Sequence, residues 1–360
     1  MTEPNEPIIP REIRDGPAAI RATVAEATPD ARRIAAELLA RGTRRVHVIG
    51  NGTSYHSSLA ATAVYRRVAG PDDPIVIAST AAEFCRYGPR LGPGDAVVGI
   101  SASGEFRDVV AVASELRDVV PVVGIVHVPE SSLAAVATHV IRSAGGASHV
   151  PVMTKTFSAT LAATELLLAG LLGDAQLDSR ARALDAAADA ADAAIDAALP
   201  IVGDLATELA TAEHWFVLGG GLAHIASLEA ALKLKEIALV HAEGTETWEM
   251  ESGAATIVNA DTVVVGIAPD GRARAATGAV LGHAASWGAR VIEVGPEQLV
   301  PGSRLLSLTA DADEDDAPLV AVPSLALLAF ELATRRGLDP DRPGWVERYH
   351  SQGLTHIVGV

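Results

Sequence analysis

The sequence predicts an α/β protein with two doubly wound parallel sheets, each a flavodoxin-like sandwich, related by internal duplication. Two observations support this fold class. Short apolar segments alternate with longer helical patterns through most of the 360 residues, and such alternation is typical of parallel sheets whose strands are connected by helices. The order of strands, loops and helices in residues 17–175 recurs in residues 213–338, which indicates two copies of one fold.

Composition excludes several classes of protein. The chain is 49% apolar, enough for two cores of ordinary size. Its net charge of −17 argues against nucleic acid or an anionic membrane as a partner, because both attract basic surfaces. A single cysteine, Cys85, excludes an internal disulfide and a thiolate metal cluster. We recognise no signal peptide, and the apolar runs are short or interrupted, so we expect a soluble, cytoplasmic protein.

The first part of the chain is predicted to contain a flexible arm and then the first domain. Residues 1–16 are charged and contain prolines, as is typical of a poorly ordered arm. Apolar residues near helical spacing predict one or two helices up to Gly42, and the domain ends with the apolar helix Lys155–Gly173. Between them, strands are predicted at 45–50, 75–78, 95–101, 121–128 and 139–143, and helices at 54–68, 81–87, 105–116 and 132–138.

Residues 176–212 are predicted to form a helical connector between the two domains. The segment is rich in alanine, and its regularly spaced aspartates share one helix face. Such a face is more typical of a solvated surface than of a metal site. Pro200 is expected to interrupt the helix.

The second domain is predicted at 213–338, with a C-terminal tail at 339–360. The stretch from Glu243 to Glu251 contains four glutamates and is expected to be an exposed or active-site loop. Strands are predicted at 213–219, 262–268, 290–294 and 305–308, and helices at 222–239, before Trp287 and at 319–336.

Two loops of the first domain form a candidate phosphate site. One, NGTS at residues 51–54, follows the strand that ends at Gly50, and the other, SASGE, begins at Ser101. Because the carboxyl ends of parallel strands meet at one edge of a sheet, both loops should lie together. Helix N-termini offer free N–H groups there, and the serine and threonine hydroxyls add further donors.

Neither loop contains a Walker or a dinucleotide-binding motif. The less specific interpretation is that these serines and threonines only cap helices and form turns. The second domain has GGGL and APDG at the corresponding positions and therefore lacks these hydroxyls. We expect the first domain to bind phosphate and the second to supply packing and chemistry.

A charged segment in the second domain is the candidate for proton transfer. Within SLEAALKLKEIALVHAE, the residues Lys233, Lys235 and Glu236 interrupt an apolar helix. They form either an exposed patch or a partly buried site. In the second case burial would raise the pKa of the glutamate, which would suit it to move a proton between adjacent carbons.

These loops, the segment EAALKLKEIALVHAE, the stretch VMTKTF at Val152–Phe157 and the duplicated layout resemble the double sugar-isomerase (SIS) domain family over residues 15–350. The family includes the isomerase half of glucosamine-6-phosphate synthase, glucosamine-6-phosphate deaminases and fructosamine-phosphate deglycases. No glutaminase domain precedes the first sugar-isomerase domain here, so we expect no glutamine-dependent amination by this chain alone. The resemblance implies a homodimer, a phosphorylated sugar as substrate and no cofactor; we expect no metal because no metal-ligand spacing is present.

The resemblance also implies roles for individual residues. Glu236 would move a proton between C1 and C2 of the sugar, with Lys233 beside it, and the C-terminal tail with Arg348 and His350 would close over the active site. The residues implied to hold the phosphate or the substrate are Gly52, Thr53, Ser54, Ser101, Ser103 and Lys155.

Three positions depart from the family pattern. Ser252 stands where the ring-opening histidine is expected, and Arg348 stands where the tail lysine is expected. An arginine can hold an oxyanion, but it cannot form a Schiff base or donate a proton at neutral pH. Phe106 replaces the last hydroxyl of the second loop, which removes one phosphate contact.

These departures leave three explanations open. The substrate is already open-chain or smaller; or a substitute acid serves, namely Glu251, His350 or His356; or the chain binds a sugar phosphate without converting it. The sequence therefore predicts aldose–ketose isomerisation of a phosphosugar, or isomerisation or deamination of an amino-sugar phosphate. The alternative is a non-catalytic sugar-phosphate-binding regulatory protein.

Overall fold

The structure, a computed structural model, describes residues 7–146, 148–309 and 312–351, with side chains at the C-terminal end as far as Arg348. It divides into two compact units. The first unit contains residues 18–186 and the helix from Gly344; the second contains residues 7–17 and 187–343. The division falls inside the segment predicted as a connector.

The N-terminal segment is helical, so the prediction of a flexible arm is wrong for its described part. Helix α1 (Ile8–Arg14) buries Ile9 and Ile13 in the second unit. The carboxylate of Asp341 accepts hydrogen bonds from the backbone N–H groups of Ile8 (2.7 Å) and Ile9 (2.9 Å). A carboxylate at a helix N-terminus satisfies free donors and complements the helix dipole, which explains why this segment is ordered.

The first unit is a five-stranded parallel sheet with helices packed against it. The strand order is β2-β1-β3-β4-β5. Its core includes the strand residues Ile49, Val97 and Val122, packed against helix residues such as Val109. The elements are α2 (Gly16–Ala40), β1 (Arg45–Gly50), α3 (Thr53–Val68), β2 (Ile75–Thr80), α4 (Ala81–Tyr87), β3 (Asp95–Ser101), α5 (Arg107–Leu116), β4 (Val122–Val126), α6 (Ser132–Val136), β5 (His139–Arg142) and α7 (Lys155–Gly170).

The long helix α8 (Asp174–Glu208) passes from the first unit into the second. It contains Pro200, so the expected break at this proline does not occur. A proline removes one backbone donor, but the helix continues for two further turns and packs buried residues such as Leu205 and Ala206 into the second unit.

The second unit contains another five-stranded parallel sheet, with the order β10-β9-β8-β6-β7. When strands are matched by position, this is the order of the first sheet. The elements are β6 (His214–Gly219), α9 (Leu222–Lys233), a π-helical turn (Leu234–Ala238), β7 (His241–Glu246), α10 (Thr247–Glu251), a 3₁₀ turn (Ala254–Ile257), β8 (Thr262–Ile267), α11 (Arg274–Ser286), β9 (Arg290–Gly295), β10 (Arg304–Ser307), a 3₁₀ turn (Glu314–Asp316) and α12 (Ala317–Arg335); α13 (Gly344–Ser351) belongs to the first unit.

These two sheets confirm the predicted α/β fold class. The main difference lies in the stretch from Glu243 to Glu251, which is not a loop: it contains the end of β7 and the helix α10. The backbone of β7 pairs with β6 in parallel register from His214 to Gly219. A sequence with exposed glutamates is not typical of a strand, and β7 is held at the edge of the sheet by backbone hydrogen bonds to β6.

Helix α12 corresponds to the helix predicted at 319–336, and Pro323 lies within it. By length and composition alone, the stretch Glu314–Arg335 is apolar enough to cross a membrane. However, 83% of its most apolar window is buried inside the protein, as in the core helix of a globular domain.

Candidate functional site

The two loops with hydroxyl residues lie at adjacent strand ends in the first unit. Strands β1 and β3 are neighbours in parallel register, with Ile49 opposite Gly99. From β1 the chain moves outward to β2 and then returns to β3 on the other side. The point between β1 and β3 is therefore the topological switch point, where open α/β sheets bind ligands.

The first loop is shaped by glycines. A Cβ atom on Gly50 would lie 2.7 Å from the backbone and Cβ of Ser54, so the first turn of α3 passes directly against the end of β1. Gly52 precedes α3 with φ +53° and ψ −126°, a conformation that side-chain-bearing residues rarely adopt. Together they bring the N-terminus of α3 to the edge of the sheet.

The helices on either side of the switch point keep open N-termini. Among the described residues, no side chain caps α3 at Gly52 or α5 at Phe106. In contrast, α4, which follows the outer strand β2, is capped by Thr80, whose hydroxyl accepts a hydrogen bond from the N–H of Glu83 (3.1 Å). Uncapped N-termini offer N–H groups and a partial positive charge to an anion.

The second loop is organised by Ser101. Its hydroxyl oxygen accepts hydrogen bonds from the backbone N–H groups of Gly104 (3.1 Å) and Phe106 (3.4 Å). Ser103 accepts from the N–H of Glu105 (3.2 Å). Both hydroxyl protons remain able to point to another acceptor, because a hydroxyl accepts and donates at once. These bonds give Ser101 the turn-forming role that was the less specific interpretation of these serines.

Glu105 belongs to the loop but faces away from the switch point. Its carboxylate accepts hydrogen bonds from the N–H (2.8 Å) and hydroxyl (2.6 Å) of Ser132 at the start of α6. This contact neutralises the N-terminus of α6 and fixes the loop. Gly104 allows the close approach, because a Cβ there would lie 2.0 Å from Oγ of Ser131.

The structure therefore brings five of the predicted residues together at one edge of the first unit, and we call them the hydroxyl cradle. Thr53, Ser54 and Ser101 are buried, Ser103 is half-buried, and Gly52 is exposed. Lys155 is buried in the same unit at the start of α7, a helix that packs along α3. Its side chain has contacts within the protein.

The second unit holds a group of charges that we call the ionic triad: Glu229, Lys233 and Glu236. The ammonium Nζ of Lys233 lies 3.1 Å from Oε1 of Glu229 and 2.7 Å from Oε2 of Glu236. The side chains of Glu229 and Lys233 are 0% and 1% exposed, and that of Glu236 is 28% exposed. Of the three, only the Glu236 carboxylate is open to solvent.

The local fold explains this geometry. Glu229 and Lys233 are four residues apart in α9, and the helix then widens into the π-helical turn Leu234–Ala238 that carries Glu236. Such single π turns are frequent at functional sites. The turn ends at Leu239, whose φ of +55° stops the helix before β7.

Electrostatics fix the charge of the triad. Burial opposes the positive charge of Lys233, but the two carboxylates outweigh it and hold the pKa of Lys233 above its ordinary value of 10.5. Lys233 is therefore a cation at neutral pH. The charge of Lys233 is shared between two carboxylates, and its contact with Glu236 holds that side chain in place.

Glu229 is the member that the sequence analysis missed. It lies four residues before Lys233, the spacing at which a glutamate and a lysine meet on a helix, and this signal is present in the sequence. The apolar residues around both charges suggested only that Lys233 and Glu236 were unusual. Nothing local marked Glu229 as fully buried.

The corresponding edge of the second sheet differs in what fills it. Gly221, before α9, has φ +61° and ψ −126°, close to the values of Gly52. However, the carboxylate of Glu314 accepts a hydrogen bond from the N–H of Arg272 (2.8 Å) in the loop after β8. An acidic side chain of the protein thus already uses a donor of this loop.

The positions that depart from the family pattern lie as follows. Ser252 follows α10, and its hydroxyl donates to the carbonyl of Trp248 at 3.4 Å. The neighbouring Glu251 carboxylate pairs with His283 of α11 at 2.5 Å, both being partly exposed. Arg348 is exposed on α13 in the first unit and has contacts within the protein. The side chain of His350 and all of His356 lie outside the described residues.

Comparison with known proteins supports the resemblance in sequence. The family model for the SIS domain matches residues 40–170 and 208–332 of the chain. Glutamine–fructose-6-phosphate aminotransferase (isomerizing) of Gloeobacter violaceus is 33% identical over 357 residues, covering 92% of this chain and 56% of that protein. The chain spans about half the length of the curated relatives it matches.

Two solved structures share the fold. The C-terminal domain of glucosamine-fructose-6-phosphate aminotransferase from Francisella tularensis has a TM-score of 0.85 at 24% identity, and the match covers 95% of this chain and 100% of that one. Glucosamine-6-phosphate deaminase from Thermotoga maritima has a TM-score of 0.68 at 22% identity, covering 89% and 97%. Both similarities extend over nearly all of this chain.

Proposed function

The chain belongs to the SIS domain family, and we propose that it is an enzyme acting on a phosphorylated sugar. The reaction is aldose–ketose isomerisation, or isomerisation or deamination of an amino-sugar phosphate. The observation that carries the proposal is the ionic triad, in which a buried lysine anchors one carboxylate that is partly open to solvent. The names of the relatives supply the substrate class: they act on fructose 6-phosphate or glucosamine 6-phosphate.

The hydroxyl cradle is proposed to hold the phosphate. Two uncapped helix N-termini and the hydroxyls of Ser54 and Ser103 are donors suited to a phosphate without a lysine. Ser101 keeps its loop in the binding shape through two backbone hydrogen bonds. Lys155 is proposed to contribute a positive charge from the same unit.

Glu236 is proposed to be the base. Its carboxylate removes the proton from one of the carbons C1 and C2 of the open-chain sugar, the electron pair of that C–H bond forms the C1–C2 double bond, and the carbonyl oxygen (or the imine nitrogen of an amino sugar) takes up a proton from solvent to give an enediol or enolamine. The same carboxylate returns its proton to the adjacent carbon while the other heteroatom releases one proton to solvent, so no net proton is consumed. Lys233 remains protonated and orients Glu236, which is general acid–base catalysis by a positioned group.

Exchange of deuterium from solvent into C2 of the sugar tests this mechanism. The wild-type protein is incubated in D₂O with fructose 6-phosphate, glucose 6-phosphate and glucosamine 6-phosphate, and NMR follows the C2 proton of the two aldoses and the C1 protons of fructose 6-phosphate. Glu236→Gln should lose at least about 100-fold in exchange rate, since general acid–base catalysis contributes 10²–10⁴-fold, while sugar-phosphate binding stays near normal. Glu331→Gln, which changes a partly exposed glutamate on α12, is the matched control. Exchange at the wild-type rate in Glu236→Gln removes this residue from the mechanism.

The cradle has its own test. Ser103→Ala should weaken binding of the phosphorylated sugar and leave the weak binding of the unphosphorylated sugar unchanged. An equal loss of affinity for both sugars would contradict the assignment of the phosphate to this loop.

A second function is a regulatory protein that binds a sugar phosphate without converting it. The replacements at Phe106, Ser252 and Arg348 favour it, because each removes a group that the family pattern leads one to expect. Arg348 and His350 are proposed as substrate contacts from the C-terminal segment only if turnover occurs. The regulatory function is identified if a sugar phosphate binds tightly and none of the sugar phosphates tested exchanges a carbon-bound proton with D₂O. A cytoplasmic homodimer remains part of either proposal.

A further inference from the structure

A cavity of about 290 Å³ lies in the second unit at the amino-terminal edge of its sheet, opposite the edge that carries the loops. Its walls are the last turns of α8 and α11 and the first residues of β9 and β10. Leu205, Leu209, Ala289 and Pro301 make one side apolar. Arg290, Arg304 and Glu208 supply the charges, and neither the ionic triad nor the hydroxyl cradle contributes a residue to it.

Arg290 has fewer partners than its charge requires. Its only hydrogen bond to another described residue runs from Nη2 to the carbonyl of Asp261, at 3.4 Å. Its Nε is buried and has no hydrogen-bond partner among the described residues. No carboxylate within the described part of the chain lies within 4.0 Å of this guanidinium. The side chain of Arg290 is partly exposed, and a guanidinium without a counter-charge is left uncompensated, so an external anion at its exposed atoms would stabilise it.

Arg304 adds a second positive charge to the same cavity. It pairs with Glu208 at 2.9 Å, and both side chains are partly exposed. The cavity therefore carries two positive charges and one negative charge, although the whole chain has a net charge of −17. A guanidinium matches the two oxygens of a carboxylate or phosphate in its own plane, and the leucines and proline suit an apolar body.

We propose that this cavity is a binding site for a small oxyanion, a carboxylate or a phosphate ester, attached to a partly apolar body. The guanidinium of Arg290 binds the oxyanion, Arg304 adds attraction, and Leu205 and Leu209 contact the apolar part. Glu208 limits affinity because it occupies Arg304 and repels the ligand. The site is separate from the residues of the proposed reaction and does not depend on that reaction.

Isothermal titration calorimetry with benzoate and with phenyl phosphate tests the site, and the two probes distinguish a carboxylate from a phosphate ligand. The wild-type chain should bind at least one of them saturably. Arg290→Gln should weaken that binding at least about tenfold, the loss expected for a hydrogen bond to a charged group. Glu208→Gln should tighten it, since one negative charge is removed and Arg304 is released. Arg117→Gln, an exposed arginine of the first unit, is the control with the same change of charge.

The unfolding temperature of Arg290→Gln shows whether a loss of binding comes from the missing guanidinium or from a failure to fold. Because no described residue forms an ion pair with Arg290, Arg290→Gln should unfold at the same temperature as wild type or higher. If Arg290→Gln does not fold, the expected increase in probe affinity of Glu208→Gln still tests the proposal. The proposal is wrong if neither probe binds wild type saturably, if Arg290→Gln binds a probe as wild type does, or if Glu208→Gln weakens binding. Loss of sugar-phosphate exchange would not affect it.

Discussion

The substitution Glu229→Gln tests the ionic triad most directly. It preserves the size of the side chain and an oxygen that can accept from Lys233, and it removes one negative charge. Lys233, which is 1% exposed, would lose one of the two carboxylates that lie within 3.1 Å of its ammonium and would keep that of Glu236. We expect the second unit to be destabilised because a buried cation loses a close counter-charge.

The size of the effect follows from the geometry. At 3.1 Å and an effective dielectric constant of about 20, the attraction between Lys233 and Glu229 is about 5 kcal/mol. Breaking a buried pair costs about 3–5 kcal/mol in proteins, and the amide retains a hydrogen bond. The expected loss in free energy of unfolding is therefore about 3 kcal/mol, or roughly 6–12 °C in the melting temperature of a domain of this size.

Thermal and guanidinium unfolding measure this loss, and Glu331→Gln is the matched control. Glu331 pairs with Arg335 at the same four-residue spacing on α12, but at 3.9 Å and with both side chains partly exposed. Exposed pairs of this kind contribute about 0.5 kcal/mol or less. The two pairs have the same spacing in sequence, so the difference between the two losses of stability reports the effect of burial.

The dependence on pH has a defined sign. The pKa of Lys233 lies above its ordinary value of 10.5 in the folded state, so its stabilisation is complete below pH 10.5 and is lost as pH rises through the folded value. The difference between wild type and Glu229→Gln should be constant around neutral pH and shrink as the pH rises into strong alkali. Equal stability of the two proteins at pH 7 would refute the triad as described.

Three further predictions concern the first unit. The pKa of Asp95 is held below its ordinary value of 3.8, chiefly by the hydrogen bond from Arg45. Asp95→Asn should lower the free energy of unfolding by about 1–2 kcal/mol at pH 7. In unfolding experiments this difference from wild type should vanish as the pH falls below 3.8 and through the lower pKa of the folded state. Gly50→Ala places a Cβ atom 2.7 Å from Ser54 and should lower the free energy of unfolding by about 1–3 kcal/mol and weaken sugar-phosphate binding; unchanged binding would contradict the shaping of the loop by this glycine. Tyr65→Phe removes a buried hydrogen bond of 2.6 Å to a backbone carbonyl and should cost about 1 kcal/mol in the same denaturation assay.

Much of the first unit could be predicted because its signals are local. Strands β1 and β3 have the predicted bounds, since each is a short apolar run that ends at small residues. The position of both loops at one edge follows from the carboxyl ends of neighbouring parallel strands. The sequence comparison of NGTS with GGGL also has a structural counterpart, because Gly52 and Gly221 share one unusual backbone conformation.

The features that the sequence did not reveal depend on distant partners. Helix α1 is ordered by Asp341, which lies more than 330 residues away along the chain. Strand β7 has an exposed, glutamate-rich sequence and is recognisable only by its pairing with β6. The burial of Glu229 depends on helices that pack around α9, in particular α12. In each case the structure depends on a tertiary contact, which the periodicity of apolar residues along the sequence cannot predict.

The two switch points show how one fold can serve two purposes. At the first, the helix N-termini beside Gly52 and Phe106 have no side-chain cap among the described residues, and hydroxyls surround them. At the second, Glu314 binds the loop after β8, and the ring of Trp248 lies where a Cβ atom on Gly220 would contact it at 3.1 Å. Among the described residues, α9 beside Gly221 has no side-chain cap either, so the difference at the second switch point lies in the carboxylate and the indole that a phosphate would meet there. The second pair of loops therefore lacks the hydroxyls, and side chains of the protein occupy part of the corresponding anion site. What the second unit contributes instead is the ionic triad, which begins on α9, the helix that follows β6.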